Sequence, residues 1–211
     1  QRLSGMAENS KNSPRRKRRR RWWMAISVAT YIAVAFGLAW FFESQATTTI
    51  LFVRHTDTDI FVEGDNPGLN ANGFARAEAL ADFVQDIDVI AGVDAIYASE
   101  FKRTQQTADA VARRLELEVG VANPYDVEAF MADVLRDNKG EIVLIVTHSD
   151  AIAPLIEELH GSKNVPEIAE DEYDNFYIVT IPNYGKVKTL RLHYGSDLSD
   201  ETSSLTRSAP L

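Results

Sequence analysis

The sequence contains an uninterrupted run of 21 uncharged residues, from Trp22 to Phe42. As a helix rising about 1.5 Å per residue, this run would be about 31 Å long, which matches the hydrocarbon thickness of a bilayer. Tryptophans stand at both ends of the run, where amphipathic rings favour the membrane interface. The basic cluster Arg15–Arg21 precedes the run directly, and a buried core helix would bring that charge against the core. We therefore predict a transmembrane helix over residues 22–42.

Charge is distributed very unevenly along the chain. Residues 1–23 carry a net charge of +8, whereas the remainder carries −17. The positive-inside rule keeps a basic tail, residues 1–21, in the cytoplasm and places residues 47–211 in the periplasm or on the outer face of the cytoplasmic membrane. A signal peptide cleaved after Ala46 is the alternative, but the apolar run exceeds the roughly 7 to 15 residues usual in such peptides. We therefore favour a retained signal anchor.

Composition limits the partners of the part that follows the apolar run. Its acidic balance argues against nucleic-acid binding, which requires a basic surface. The chain has no cysteine, so disulfides, thiolate nucleophiles and thiolate metal ligands are excluded. Asp57, Asp59 and Asp65 do not have the spacing of a calcium loop, and we interpret them as part of a solvated loop.

Beyond the apolar run, short β-branched segments alternate with segments of helical periodicity. The predicted strands are, in order, Thr49–Val53, Asp94–Ala98, Leu117–Ala122, Glu141–Thr147, Asn175–Ile181 and Lys186–His193. The predicted helices run from an Asn70 cap to Asp86, from a Ser99 cap to Leu115, from an Asp126 cap to Asp137, and from Ala151 to Leu159. This alternation predicts an α/β fold: a single doubly wound, mainly parallel sheet with helices on both faces, over residues 47–194. Residues 195–211, rich in Ser, Thr and Asp, are predicted to be disordered.

Two of the predicted strands end in histidine. One strand leads directly into Arg54 and His55, and the strand over residues 141–147 leads into His148. Arg103 lies near the start of the helix that follows another strand. Open α/β sheets bind ligands beyond the carboxyl ends of their strands, so we expect these side chains to meet there. Arginine forks match phosphoryl oxygens, and neutral imidazole can attack phosphorus, so the set predicts a site for phosphoryl chemistry.

Four short motifs at these positions resemble the histidine phosphatase superfamily, which includes the phosphoglycerate mutases. They are, in chain order, Arg54-His55-x-Asp57-Thr58, Asp65-x-Pro67-Gly68-Leu69 with Gly73 and Ala77, Ser99-x-x-x-Arg103-x-x-x-Thr107-Ala108, and His148 after a β-branched strand. The resemblance covers residues 49–193. Its compact layout is similar to the short branch of phosphohistidine phosphatases.

This resemblance implies a phosphoglycerate mutase-like fold for residues 47–194 and a reaction that needs no metal or cofactor. In the family scheme, His55 accepts the phosphoryl group, while Arg54, Arg103 and His148 bind its oxygens. The expected reaction is hydrolysis of a small phosphomonoester through a phosphohistidine intermediate.

The proton donor to the leaving group is less well specified. Larger relatives carry a glutamate on an insertion before the second histidine, and the short stretch between Ala122 and Glu141 has no room for it. Asp57 is the first choice for this acid because it lies close to the nucleophile in sequence, and Asp150 is the alternative. Glu128 is interpreted as a solvated position.

Three further questions stay open at this level. The residue after His55 is Thr56, where the family usually has glycine, so we expect a narrower pocket or an altered turn. A catalytically silent, membrane-anchored module that binds a phospho-ligand or a partner is one alternative function. A phosphohistidine protein phosphatase is another, and it would require a cytoplasmic domain.

An extracytoplasmic domain would rarely meet phosphorylated signalling proteins, so we expect a small or envelope-linked phosphomonoester as substrate, such as a phosphorylated glycan or lipid headgroup.

Overall fold

The computed structural model describes residues 14–43, 47–58, 66–86 and 92–195. The predicted disordered tail after Gly195, the first residues of the basic tail, and Asp59 and Asp65 lie outside these residues. The chain divides into two compact units, Gln1–Gln45 and Ala46–Leu211.

The first unit contains one long helix, α1, Pro14–Glu43. It begins inside the predicted basic tail and continues one residue past the predicted apolar span. Within it, the stretch Arg18–Phe41 is long and apolar enough to cross a membrane, and none of this stretch is buried. Large side chains such as Tyr31 and Phe36 are 75% and 74% exposed. The prediction of an N-terminal apolar helix is confirmed.

The second unit alternates strands and helices. Its elements are, in chain order, β1 Thr47–Arg54, α2 Ala71–Gln85, β2 Ala95–Ala98, α3 Lys102–Leu115, β3 Val119–Val121, α4 Val127–Asp137, β4 Ile142–Thr147, α5 Ser149–Glu158, β5 Asn175–Pro182 and β6 Lys188–His193. Each predicted strand and helix is present. The last helix begins at Ser149 rather than Ala151, because His148 is its extended N-cap residue.

All six strands form one sheet, in the order β3-β2-β4-β1-β5-β6. The first four strands of that order are mutually parallel, and β5 and β6 complete the sheet in antiparallel pairing. The central pair is β1 with β4, in a register that aligns Arg54 with Thr147. The predicted α/β fold with a mainly parallel sheet is therefore confirmed, and the residues after β1 and β4 emerge side by side.

Strand β1 is buried on both faces because helices cover both sides of the sheet. Leu51 and Val53 pack in one cluster with α2 and α3, whereas Ile50 and Phe52 pack in the other with α4 and α5. All four side chains are fully buried, and burying each one contributes about 1.5–3 kcal/mol. This double packing fixes the strand that leads into the first histidine.

The predicted N-cap residue is confirmed for α2 but not for α3. Asn70 caps α2 as predicted, since its side-chain oxygen accepts a hydrogen bond of 2.8 Å from the Gly73 amide. The prediction that Ser99 caps α3 is wrong, because the N-cap residue is Phe101. Ser99 is instead held by hydrogen bonds to Thr104 and His148. Its hydroxyl thus joins the first turn of α3 to the histidine that follows β4, instead of capping the helix.

Candidate active site

The two histidines meet at the carboxyl edge of the sheet. The His55 amide donates to the Thr147 carbonyl at 2.9 Å, which continues the β1–β4 ladder beyond the end of β1. The imidazole centroids of His55 and His148 are 5.5 Å apart. The two residues are only 7% and 5% exposed, so both rings are largely withdrawn from water.

The environment of His55 fixes its tautomer and its charge. Its Nδ1 lies 2.9 Å from the Thr56 carbonyl oxygen, and since a carbonyl only accepts, Nδ1 carries the proton. Burial, helped by the charges of Arg103 and Arg54, lowers the pKa of His55 to about 3, against the raising effect of that carbonyl. The ring is therefore neutral at physiological pH, and Nε2 presents a lone pair.

His148 is oriented from both sides. Its Nδ1 lies 3.4 Å from an Arg103 guanidinium nitrogen, and since guanidinium only donates, Nδ1 accepts and Nε2 carries the proton. Nε2 in turn donates to the Ser99 hydroxyl at 3.0 Å, which lies 2.7 Å from the Thr104 hydroxyl. Burial and then Arg103 lower the pKa of His148 to about 4, while Asp150 opposes them.

The guanidinium of Arg54 donates hydrogen bonds to backbone carbonyls from one of its nitrogens, whereas its Nε lacks a partner among the described residues. Its NH1 donates to the carbonyls of Ala169, at 2.8 Å, and Glu172, at 3.0 Å. Its guanidinium carbon lies 4.3 Å from the centroid of the Tyr173 ring. Among the described residues, its buried Nε has no hydrogen-bond partner. An unpaired buried donor costs about 1–3 kcal/mol, which an anionic ligand would offset.

Arg54, His55 and Arg103 line one cavity of about 720 Å³, together with Asp57 and, from the loop between α5 and β5, Glu170, Asp171 and Tyr173. That size suits a small molecule. Arg103 reaches it from the first turn of α3, with its guanidinium 4.5 Å from the centroid of the Phe101 ring. The structure thus brings both predicted arginines to the predicted histidines.

The three carboxylates considered as acids occupy different places. Asp57 lines the cavity and accepts a hydrogen bond of 2.7 Å from Arg76 in a largely buried ion pair. Asp150 is exposed and lies 3.4 Å from the Tyr125 hydroxyl. Glu128 is exposed on α4. Of the three, only Asp57 faces the cavity that His55 lines.

Thr56, which stands where glycine was expected, does not narrow the cavity. It is fully buried, and its hydroxyl donates to the Gly73 carbonyl at 2.8 Å. Its amide donates to the Thr107 hydroxyl at 3.1 Å. The side chain therefore links α2 to α3 beneath the site. Gly73 is required there, since an added Cβ would lie 2.0 Å from the Asp57 carbonyl oxygen.

Aromatic residues that the sequence motifs do not indicate enclose the two histidines. The Tyr125 ring stacks on His148 with centroids 6.1 Å apart, and Phe101 meets the same ring edge-on at 5.0 Å. Tyr173 lies 6.0 Å from His55, centroid to centroid. Tyr173 reaches this edge because β5 runs antiparallel to β1, so the start of β5 lies beside the end of β1, and local sequence does not specify that pairing.

One protein-family model matches part of the second unit of the chain. The family model of the histidine phosphatase superfamily (branch 1) matches residues 50–123. This segment contains Arg54, His55 and Arg103 and ends before His148. No curated protein shows significant similarity to the chain. The resemblance predicted from the motifs is confirmed, and the family match supports phosphatase activity in general.

Solved structures of phosphatases share the fold. The protein histidine phosphatase SixA, in complex with tungstate, is 19% identical, covering 69% of this chain and 96% of its own, with a TM-score of 0.55. A phosphoserine phosphatase mutant from Entamoeba histolytica, in complex with phosphoserine, is 14% identical, with coverages of 71% and 97% and a TM-score of 0.52. A mycobacterial glucosyl-3-phosphoglycerate phosphatase is 15% identical, with coverages of 64% and 90% and a TM-score of 0.52. At these identities the likeness shows the phosphoglycerate mutase-like fold.

We expect the two site histidines to remain neutral far below the usual histidine pKa of 6.5. Proton NMR can follow the imidazole C2–H signals of the full chain in detergent micelles, since the chain has only four histidines. Two signals should titrate with midpoints of about 3 and about 4, because burial disfavours the charged ring. His55→Asn and His148→Asn would assign them, and a site signal titrating near 6.5 would contradict this electrostatic picture.

Thr56→Val should weaken the fold without changing the chemistry. The substitution removes the hydroxyl that donates to Gly73, so we expect the free energy of unfolding to fall by about 1–2 kcal/mol. Urea denaturation followed by far-UV circular dichroism measures this change, with Thr56→Ser as the control that keeps the hydroxyl. A large fall in kcat/KM of a folded Thr56→Val protein would instead place the side chain in substrate binding.

Proposed function

We propose that this chain is a metal-independent phosphatase that hydrolyses phosphomonoesters through a phosphohistidine formed on His55. The observation that carries the proposal is the state of that residue: a neutral, buried imidazole whose Nδ1 proton is committed to the Thr56 carbonyl. Its Nε2 lone pair is therefore available in a cavity that two arginines also line. Such a group is a nucleophile without any need for a neighbouring base.

The first half of the reaction transfers the phosphoryl group. Nε2 of His55 forms a bond to phosphorus, and the bond between phosphorus and the ester oxygen breaks. The leaving oxygen takes a proton and departs as the alcohol. In the second half, water attacks the phosphohistidine, which releases inorganic phosphate and restores the neutral ring.

Arg54 and Arg103 bind the phosphoryl oxygens in this scheme. Both arginines line the cavity that His55 also lines, and the Arg103 guanidinium lies beside His148. Charge on the transferring group is spread over its equatorial oxygens, so fixed donors stabilise it in the transition state.

His148 becomes a further donor when substrate binds. Without ligand, burial and Arg103 hold its pKa at about 4. A phosphate dianion at the same place would favour the protonated ring and raise that pKa. Nδ1, which otherwise accepts from Arg103, could then donate to a phosphoryl oxygen, while Nε2 keeps its bond to Ser99.

Asp57 is the proposed proton donor to the leaving oxygen, and its position on the cavity wall supports that role. Asp150 is the alternative, since its carboxylate lies beside Tyr125, which stacks on His148. Asp57→Asn and Asp150→Asn can be compared by their kcat/KM on alkyl and aryl phosphates. The variant that lacks the true acid should lose more activity on alkyl phosphates, because aryl leaving groups need no proton.

The proposed arrangement in the membrane is a basic cytoplasmic tail over residues 1–21, a transmembrane anchor over residues 22–42 and an extracytoplasmic phosphatase domain over residues 47–194. The length and exposure of the apolar stretch of α1 support the anchor. The cluster Arg15–Arg21 supports the orientation by the positive-inside rule. A domain placed there would act on small or envelope-linked phosphomonoesters.

The phosphatase proposal predicts turnover and a labelled histidine. The full chain in detergent, with a metal chelator present, should hydrolyse an aryl phosphate and retain acid-labile, base-stable phosphate after a rapid quench. His55→Ala should abolish both, and Arg103→Ala should reduce kcat/KM by about 10²–10³, as expected for loss of a transition-state donor.

The exposed His160 supplies the matched control, because it lies at a helix end outside the cavity. His160→Asn should keep full activity and full label. A folded wild-type chain that neither turns over an aryl phosphate nor takes up phosphate would contradict the proposal and favour a silent binding module.

The orientation proposal can be tested by cysteine labelling, since the chain has no native cysteine. Tyr184→Cys, at a position 75% exposed between β5 and β6, should react with a membrane-impermeant maleimide in intact cells. Ser10→Cys should react only after the cells are opened, because the basic tail stays inside. The reverse pattern would place the phosphatase domain in the cytoplasm.

A further inference from the structure

The cavity has an acidic rim formed by one tight turn. Residues Ala169–Glu172, here called the acidic turn, close with a hydrogen bond of 3.1 Å from the Glu172 amide to the Ala169 carbonyl. The two central residues, Glu170 and Asp171, are exposed and line the cavity. Their carboxylates therefore lie at the mouth of the cavity that Arg54 and Arg103 also line.

The acidic turn is held in place rather than loosely attached. Arg54 donates from one nitrogen to the carbonyls at both ends of the turn, Ala169 and Glu172. The Glu172 carboxylate accepts from the Ala169 amide at 3.2 Å and from the Asn175 side chain at 3.3 Å. Ile168, which precedes the turn, is buried against the core. Glu170 and Asp171 are thus presented by a fixed backbone, which limits the entropy lost when they bind a ligand.

Arg54 joins this turn to the phosphoryl site. The residue is 8% exposed, and its buried Nε lacks a hydrogen-bond partner among the described residues. Arg54 also lines the cavity, so a phosphoryl group bound there would meet its positive charge. One side chain therefore faces the phosphoryl site and also fixes the turn that carries the two carboxylates. A ligand that satisfies both ends carries negative charge at one end and positive charge at the other.

We infer that the substrate is a small phosphomonoester whose alcohol part carries a protonated amine close to the ester oxygen. This inference rests on the proposed phosphatase function and names the substrate class of the same site. The phosphoryl group lies against Arg54 and Arg103, and the ammonium group lies against Glu170 and Asp171. The same carboxylates disfavour esters with a second anionic group, because like charges at the rim repel them.

Simple amino alcohols and amino sugars share this chemistry, and matched pairs of esters test both. The first pair is 2-aminoethyl phosphate and propyl phosphate, and the second is glucosamine 1-phosphate and glucose 1-phosphate, so that each amine is on the carbon next to the one that carries the ester oxygen. At low salt, kcat/KM for the full chain in detergent should be about fivefold higher for the aminated member of at least one pair. The advantage should shrink as salt screens the exposed carboxylates. The pair that responds identifies the source of the amine.

Variants of the rim connect the preference to the acidic turn. Glu170→Gln combined with Asp171→Asn should bring the ratio of the responding pair close to one. Glu167→Gln removes one negative charge from an exposed position of the same loop that does not line the cavity, and it should keep the ratio. An unchanged ratio in the double variant would overturn the inference.

The outcomes for the two proposals are separable. Turnover of an aryl phosphate with ratios near one in both pairs overturns the aminated substrate and leaves the phosphatase in place. Turnover of no ester, with no phosphate on His55, overturns the phosphatase and the substrate inference together.

Discussion

The parallel pairing of β1 with β4 is the contact on which the rest of the site depends. The register aligns Arg54 with Thr147, and the ladder extends one bond further through the His55 amide. Both strands are buried on both faces, so neither can slide without exposing apolar side chains. The two histidines therefore stand next to each other because of backbone pairing and core packing, before any ligand is present.

Arg54 performs two tasks that its position makes compatible. Guanidinium is planar and has donors along separate edges. One nitrogen binds the acidic turn through two carbonyls, while the buried Nε has no hydrogen-bond partner in the part of the chain that the structure describes. A lysine donates all of its hydrogen bonds from one nitrogen, so it could not bind the turn with one nitrogen and keep another for a different contact. Arg54 thus lines the cavity itself and also holds the acidic turn at its mouth.

Local sequence predicted the elements and the four central side chains, because strand and helix periodicity and the order of the motifs are properties of short segments. Ser99 was misread as a helix cap because its partner His148 is distant in sequence and adjacent only through the pairing of β2 with β4. Thr56 was expected to narrow the pocket or alter the turn. Its burial between Gly73 and Thr107 could not be predicted, because it depends on how two helices pack. Long-range contacts of this kind leave no local periodicity to read.

The electrostatics of the site follow from the same burial. Two arginines and two histidines share one edge of the sheet, and four positive charges there would repel one another strongly. Burial lowers the pKa of both histidines far below neutrality, so of these four groups only the two arginines carry a positive charge at neutral pH. In the proposed mechanism, a phosphate dianion would match those two charges. Burial acts on both rings alike, so their hydrogen bonds distinguish them: Nδ1 of His55 lies against the Thr56 carbonyl, whereas Nδ1 of His148 lies against Arg103. The first ring keeps its Nε2 lone pair for the proposed attack on phosphorus, and the second can take up a proton on Nδ1 beside the phosphate.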